Sequence, residues 1–280
     1  MDLDGLIEIG TLGSGAQGRV ALARDAEGRT VAVKYSYGEV TDAFREEARM
    51  MARLRHPNVV EILGFEERPD GAAIIMEAVP GAPLSELLDR HGALPPEAAL
   101  SVLRGSLLGL CAAHDIGVVH RDYKPSNVMV TAEGESKLVD FGIAVFAGGG
   151  GRSGTPAYMA PEQWAGGAAS PATDVYAATC VFVECVAGRR PFGGETLAAL
   201  EAGHRTAPVP EELVPEALRP LVRHGMAKRP QERPRDAAVF GAELEVVAAR
   251  EYGPDWAARG AGALAGTAAG LVAVLPWLAG

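Results

Sequence analysis

Gly13-Ser14-Gly15-Ala16-Gln17-Gly18-Arg19-Val20-Ala21-Leu22-Ala23 is the stretch that decides the fold. Its first six residues fit G-x-G-x-x-G, a spacing shared by two unrelated phosphate-binding turns, so the glycines alone are weak evidence. A dinucleotide fold requires a helix directly after the last glycine. Here Arg19-Val20-Ala21-Leu22-Ala23 is short and runs into the turn Asp25-Ala26-Glu27-Gly28, which leaves room only for a strand. The spacing therefore predicts a glycine-rich hairpin, whose backbone can lie close over phosphate oxygens because no side chain intervenes.

Outward from this hairpin, 7–12 and 19–24 read as its two strands and Thr30-Val31-Ala32-Val33-Lys34 as a third. Strand alternation points Ala32 and Lys34 to the same face. Residues 42–55 turn helical, with Phe44, Met51 and Leu54 marking one apolar face, and His56-Pro57 ending the helix. Glu47 shares that face, whereas Glu46 is rotated about 100° away. The expected acidic partner of Lys34 is therefore Glu47. Strands near 59–65 and 73–77 follow, Val79-Pro80-Gly81-Ala82-Pro83 breaks the pattern, and helices at 96–114, 174–187 and 236–250 dominate the remainder. The predicted class is α+β, with a small β-rich lobe carrying one helix (1–79), a larger α-rich lobe (80–252) and an Ala/Gly-rich tail (253–280).

With 280 residues, 48% of them hydrophobic, the chain can bury a full core. A net charge of -10 with no basic block argues against a nucleic-acid partner. Cys111, Cys180 and Cys185 lack the paired spacing of a zinc site and lie in apolar stretches, so they read as core residues. The N-terminus Met1-Asp2-Leu3-Asp4-Gly5 has no basic n-region, and no signal peptide is expected; the catalytic part is expected to be cytoplasmic. From 260 to 280 there are 21 residues without a charge, the length of a membrane-spanning helix, yet twelve are Gly or Ala. Insertion would rest on Leu264, Leu271, Val272, Val274, Leu275, Trp277 and Leu278. Two readings stay open: a membrane-associated helix, or a packed or disordered tail.

His120-Arg121-Asp122-Tyr123-Lys124-Pro125-Ser126-Asn127 and Asp140-Phe141-Gly142, the latter preceded by Lys137-Leu138-Val139, complete a set of motifs in one order. With the hairpin, Lys34 and Glu47, the chain from 7 to 249 resembles the bacterial eukaryotic-type (Hanks-type) serine/threonine protein kinases. The resemblance implies the two-lobed kinase fold and transfer of the ATP γ-phosphoryl group to Ser or Thr hydroxyls of protein substrates, with autophosphorylation, in bacterial signalling. It implies that Asp122 orients or accepts the proton of the incoming hydroxyl and that Lys124 contacts the γ-phosphate. Asn127 and Asp140 become ligands of Mg²⁺, or Mn²⁺ in its place, as hard oxygen donors suit. Gly13, Ser14, Gly15 and Gly18 would cover the phosphates that Lys34 contacts. The Glu77 carbonyl and Val79 amide would hold the base, sandwiched by Leu12, Val20, Ala32 and Met129. Met51, Ile62, His120 and Phe141 would stack as an apolar column through both lobes.

Gly154-Thr155-Pro156 and Ala160-Pro161-Glu162 resemble the peptide-binding end of the activation segment. By the same resemblance Glu162 pairs with Arg233, and Asp174 bonds the catalytic-loop backbone. Tyr123 departs from the usual Leu, a change expected to be tolerated. The segment 140–162 spans only 23 residues and lacks the threonine pair that relatives phosphorylate to dock on the arginine before the catalytic aspartate, here Arg121. Ser153 is then the one local candidate switch, and little activation-loop phosphorylation is expected to be needed. Some relatives pair through the small lobe, so a homodimer is a further expectation. The rivals are a scaffold that binds without transfer, disfavoured because Lys34, Asp122, Asn127 and Asp140 are all present, and a small-molecule phosphotransferase, disfavoured by Ala160-Pro161-Glu162 and Lys124.

Overall fold

A computed structural model describes residues 3–15, 18–141 and 154–272. Strands β1 (Ile7–Gly15), β2 (Gly18–Arg24) and β3 (Thr30–Tyr37) form an antiparallel meander. With β4 (Ile62–Arg68) and β5 (Gly71–Glu77) they make a five-stranded antiparallel sheet in the order β1-β2-β3-β5-β4. The strand predicted after the glycines is therefore present. Alternation along β3 sends Val31, Val33 and Tyr35 to one side, where they pack with Ala23, Ala73 and Ile75, and leaves Ala32 and Lys34 on the side that lines the interlobe cleft.

Helix α1 (Asp42–Met51) starts where the Thr41 hydroxyl accepts from the Phe44 amide at 3.2 Å, and buries Phe44, Ala48 and Met51. Glu46 is exposed and Glu47 half-buried, as the periodicity predicts. The helix ends four residues early because Arg53 and Leu54 bond back to the carbonyls of Met50 and Met51, ahead of the restricted His56-Pro57 pair. A small second sheet joins β6 (Gly81–Pro83), β7 (Val128–Thr131) and β8 (Ser136–Leu138). Residues 58–60, expected to open β4, instead bridge to β8: Val60 N–H donates to the Leu138 carbonyl and Leu138 N–H to the Asn58 carbonyl, each at 2.8 Å.

The large lobe comprises α2 (Leu84–His91), α3 (Pro96–Asp115), α4 (Pro161–Trp164), α5 (Pro171–Ala187), α6 (Leu197–Arg205), α7 (Arg219–Gly225) and α8 (Ala237–Tyr252). Helix α5 is apolar nearly all round and runs through the core. It begins three residues before the predicted Asp174, because the Ser170 amide bonds the Thr173 hydroxyl at 3.0 Å and Pro171 fits the first helical position. Cys180 and Cys185 are fully buried and Cys111 packs against the same core, as read from their surroundings.

Helix α9 (Trp256–Val272) settles the nearer part of the tail. Trp256, Leu264 and Ala268 are buried against the large lobe, and Arg259 pairs with Glu97 on α3 at 2.6 Å. At its start, close packing requires small residues. A Cβ on Gly260 would collide with the Glu97 carbonyl and the Ser101 hydroxyl, and one on Gly134, in the turn between β7 and β8, would collide with the Ala261 carbonyl. Among the described residues no helix is long and apolar enough to cross a membrane. Residues 256–272 therefore follow the packed reading, while Val274, Leu275, Trp277 and Leu278 lie outside the described residues.

Candidate active site

Between the lobes lies a cavity of about 300 Å³. Its roof is Leu12, Gly13, Val20, Ala32 and Lys34 from the first three strands, and its floor includes Asn127, Met129 and Asp140. The back edge is Glu77-Ala78-Val79, where Glu77 closes β5 in register with Val31 and the chain leaves the sheet at Ala78. No Cβ clash exists at Gly13, where space is open above the cavity. Ser14, Gly15 and Gly18 lie in the hairpin but do not line the cavity. Gly18 serves the sheet instead. Its φ is 152° and a Cβ there would strike the Tyr35 carbonyl on the neighbouring strand, so strand pairing alone requires glycine. The structure also adds Glu86 and Ser126, which the sequence pattern does not single out, to the walls.

The loop 120–127 is held from below. Asp174, in the first turn of α5, accepts from the His120 amide at 2.8 Å, the Arg121 amide at 2.9 Å and the His114 ring at 2.9 Å. Arg121 adopts φ 66° and Asp140 φ 63°, both left-handed, a strain that these fixed contacts maintain at the first of the two. Asp122 is thereby presented toward Thr155 and Lys124. Its carboxylate accepts from the Lys124 ammonium at 2.7 Å and the Thr155 hydroxyl at 2.7 Å, and Lys124 also donates to Thr155 at 3.0 Å. The Asn127 amide donates to the Asp122 carbonyl at 3.0 Å, fixing its orientation on the cavity floor.

Tyr123 is buried, and its hydroxyl donates to Ser106 on α3 at 2.6 Å. Met51, Ile62, His120 and Phe141 are all buried, with the His120 and Phe141 rings 4.7 Å apart. Burial pushes the His120 ring below its ordinary value, against the pull of Asp174, Asp122 and Asp140. The Glu162–Arg233 bridge is bidentate at 2.8 Å for both contacts, with the Arg233 side chain fully buried. Burial alone would raise the Glu162 carboxyl, but the Arg233 hydrogen bonds and charge outweigh it and hold the group below its ordinary value. Ser153 lies outside the described residues.

One expectation is corrected. Lys34 pairs with Asp140, not with Glu47, and Glu47 instead receives the Arg121 guanidinium at 3.4 Å. The second Glu47 oxygen, Oε1, is buried without a hydrogen bond, and burial raises the carboxyl despite the Arg121 charge. Spacing along α1 established the face but not the cation that reaches it. Lys34 and Asp140 both line the cavity, and the lysine takes the nearer carboxylate.

The donor set suits a hard divalent cation: Asn127 and Asp140 place two oxygen-bearing side chains in one cavity, the number with which Mg²⁺ commonly binds before phosphate and water complete its shell. Among the described residues no group of three or more His, Cys, Asp or Glu forms an all-protein metal site. A family model described as the protein kinase domain matches residues 6–241. The chain belongs to the protein kinase family. The kinase is 38% identical over 218 residues to serine/threonine-protein kinase PknL of Mycobacterium tuberculosis, covering 73% of this chain and 54% of PknL. It is 37% identical over 264 residues to PknA of the same species, covering 87% of this chain and 61% of PknA. The kinase thus spans between half and two thirds of the length of these curated relatives. A solved structure, Rad53 1-466 in complex with AMP-PNP, matches with a TM-score of 0.74 and 27% identity over 86% of this chain and 65% of that one.

Two residues that support the kinase site carried no motif of their own. Gln163 donates to the Arg121 carbonyl at 3.0 Å and accepts from the Ala160 amide at 2.9 Å, joining the 120–127 loop to the segment around Ala160-Pro161-Glu162. Lys137 donates to Glu77 at 2.7 Å across the back of the cleft. Gln163 directly follows the quoted Ala160-Pro161-Glu162, which is the one signal that pointed near it.

Proposed function

We propose that the protein transfers the γ-phosphoryl group of ATP to serine or threonine hydroxyls of protein substrates. The observation that carries this reading is the triangle of Asp122, Lys124 and Thr155, tied by the Asn127 amide to the floor of the interlobe cavity. Phosphoryl transfer asks mainly for in-line positioning and for neutralisation of charge on the phosphoryl oxygens. Asp122 orients the acceptor hydroxyl and takes up its proton at a carboxylate oxygen. Lys124, whose ammonium already lies 2.7 Å from Asp122, sits where it can stabilise the transferring group as the hydroxyl approaches. Thr155 keeps both at one place, through hydrogen bonds of 2.7 and 3.0 Å.

Val20 and Ala32 above and Met129 below form an apolar slot for the base, edged by Glu77 and Val79, whose carbonyl and amide would hold it. Lys34 serves the phosphates once it is released from Asp140. When bound through Asn127 and Asp140, Mg²⁺ supplies neutralisation of phosphate charge, and Mn²⁺ fits the same oxygen donors. The short activation segment favours activity without prior phosphorylation there.

Incorporation of labelled γ-phosphate into the protein and into myelin basic protein tests the reading, with Lys34→Ala and Asp122→Asn as comparisons. Expected is label on Ser or Thr that falls by about two orders of magnitude or more in both variants. ATP binding by the wild-type chain with no transfer would favour the scaffold reading instead. Loss of activity on phosphatase treatment, reproduced by Ser153→Ala, would refute phosphorylation-independent activity.

A further inference from the structure

His204 stands apart from every motif discussed above. It is on α6, in the large lobe, and is fully buried. Its ring is enclosed by aromatic side chains: Phe192 stands edge-on at 4.9 Å between centroids, and Trp164 lies parallel at 6.4 Å. Both ring nitrogens are nevertheless used. Nε2 lies 3.1 Å from the Ala157 carbonyl, and Nδ1 lies 2.9 Å from the Tyr176 hydroxyl. A carbonyl can only accept, so Nε2 carries the proton, and Nδ1 accepts from the Tyr176 O–H. This assignment satisfies all the polar atoms with one neutral tautomer.

The ring is held in turn from both sides. Lys228 donates to the carbonyls of Gly203 and His204 at 3.0 and 2.8 Å, closing the end of α6, and lies 4.5 Å from the centre of the Phe192 ring. Tyr176 lies on α5, and its ring carries the Arg233 guanidinium 4.8 Å from its centre. The same Arg233 pairs with Glu162.

Ala157 is the middle residue of the 3-10 turn Pro156–Tyr158. On one side of it Thr155 bonds the catalytic Asp122, and on the other Tyr158 donates to Glu184 at 2.7 Å. We propose that His204 is a positioning residue for the acceptor peptide. By holding the Ala157 carbonyl inward it fixes the backbone turn that carries Thr155 and forms the surface beside Asp122 on which the peptide lies. The inference rests on the protein-kinase reading. Losing the pin frees a carbonyl in the middle of that turn, so the effect falls on peptide binding and leaves the nucleotide cleft, on the other side of the catalytic loop, as it is.

The test compares His204→Phe, which keeps a flat ring but neither hydrogen bond, with His204→Gln, whose side-chain amide can reach the Ala157 carbonyl, and with Tyr176→Phe, which removes the donor to Nδ1. Two readouts are taken on the full chain: KM for myelin basic protein against KM for ATP, and hydrogen exchange of the amides of 155–160 by mass spectrometry. In His204→Phe the expected results are a peptide KM raised about tenfold, the loss of one buried hydrogen bond expressed as affinity, and faster exchange in 155–160. The ATP KM stays within about twofold, and His204→Gln recovers most of both effects. Unchanged exchange in 155–160 and an unchanged peptide KM in His204→Phe overturn the proposal, as does a rise in ATP KM equal to that for peptide. If His204→Phe does not fold, Tyr176→Phe decides by the same readouts. Exchange does not depend on catalysis, so a wild-type chain that labels nothing refutes the kinase reading while the exchange arm still tests the pin.

Discussion

Glu162→Gln isolates the charge in the bridge that ties the peptide-binding segment to the end of the large lobe. In the wild-type chain the carboxylate accepts from Arg233 at 2.8 Å through both nitrogens and from the Thr173 hydroxyl at 2.8 Å. Arg233 is fully buried and also donates to the carbonyls of Ala172, Ala227 and Lys228. Glutamine keeps one acceptor oxygen but turns an N–H₂ group toward a guanidinium that can only donate. Removing one partner of a buried ion pair typically costs about 3–5 kcal/mol, because the remaining charge stays desolvated. The three carbonyls partly solvate the Arg233 cation, which places the expected loss near the lower end, about 3 kcal/mol. For a chain of this size that corresponds to a melting temperature lower by about 6–12 °C. Urea unfolding is the assay, with the midpoint shifting at constant slope. The double variant Glu162→Leu with Arg233→Met should be more stable than either single variant, giving a large coupling energy. Acidification has a defined sign. Glu162 is held below its ordinary value in the folded chain, so the unfolded chain takes up protons first as pH drops. The contribution is complete above about pH 4.5 and is lost as pH falls through the depressed folded value. A loss under about 1 kcal/mol for Glu162→Gln, or additive single variants, would refute the reasoning.

Tyr123→Phe should lower stability by about 1 kcal/mol in the same assay, since it leaves the buried Ser106 hydroxyl without the Tyr123 donor. Leu264→Ala on α9 should cost about 2–4 kcal/mol, a range set by the cavity left under a fully buried side chain, and should speed proteolytic cleavage between 253 and 272. His204 adds a second acid sensitivity. Burial first, and the nearby Lys228 charge second, push its ring down to about 4 from an unfolded value near 6.5. Its contribution is therefore complete above about pH 6.5 and is lost as pH falls toward 4, a slope of stability with pH that His204→Gln should remove.

The parts of the fold legible in the sequence are those set by contacts within a few residues. The hairpin after the glycines, the shared face of Ala32 and Lys34, and the buried face of α1 each follow from a local period, and the structure shows all three. The family resemblance, not a local period, pointed to the Asp174 contacts and the Glu162–Arg233 bridge, and the structure shows both. Elements whose borders depend on distant partners were harder to read. Residues 58–60 look like the start of β4, yet their hydrogen bonds go to β8, which lies nearly 80 positions later. Helix α9 is similar. Its Gly and Ala content reads as weak drive for a bilayer or as low complexity, whereas at Gly260 and Ala261 the helix closely approaches Glu97, Ser101 and the Gly134 turn, none of them near in sequence. His204 carried no signal at all, since its two partners are 28 and 47 positions away.

The ion pairs across the cleft show the same limit at the scale of single charges. A period of 3.6 residues says that Glu47 faces inward and Glu46 outward, and both statements hold. It cannot say which cation meets Glu47, because that depends on the placement of α1 as a rigid body against the catalytic loop. A half-buried carboxylate gains most from whichever cation comes closest without further desolvation. In this structure that cation is Arg121, whose backbone Asp174 and Gln163 hold in a left-handed conformation, while Lys34 takes Asp140. The Arg121 contact is long at 3.4 Å and satisfies only one of the two Glu47 oxygens, the other being buried without a partner. An unsatisfied buried acceptor is destabilising by about 1–3 kcal/mol, and Glu47 shares this condition with the His120 ring, whose two nitrogens are also buried without a hydrogen bond. Asp122, by contrast, has both carboxylate oxygens occupied by Lys124 and Thr155 at 2.7 Å. Asp122 is thus held at both oxygens, while α1 meets the 120–127 loop through a single longer contact.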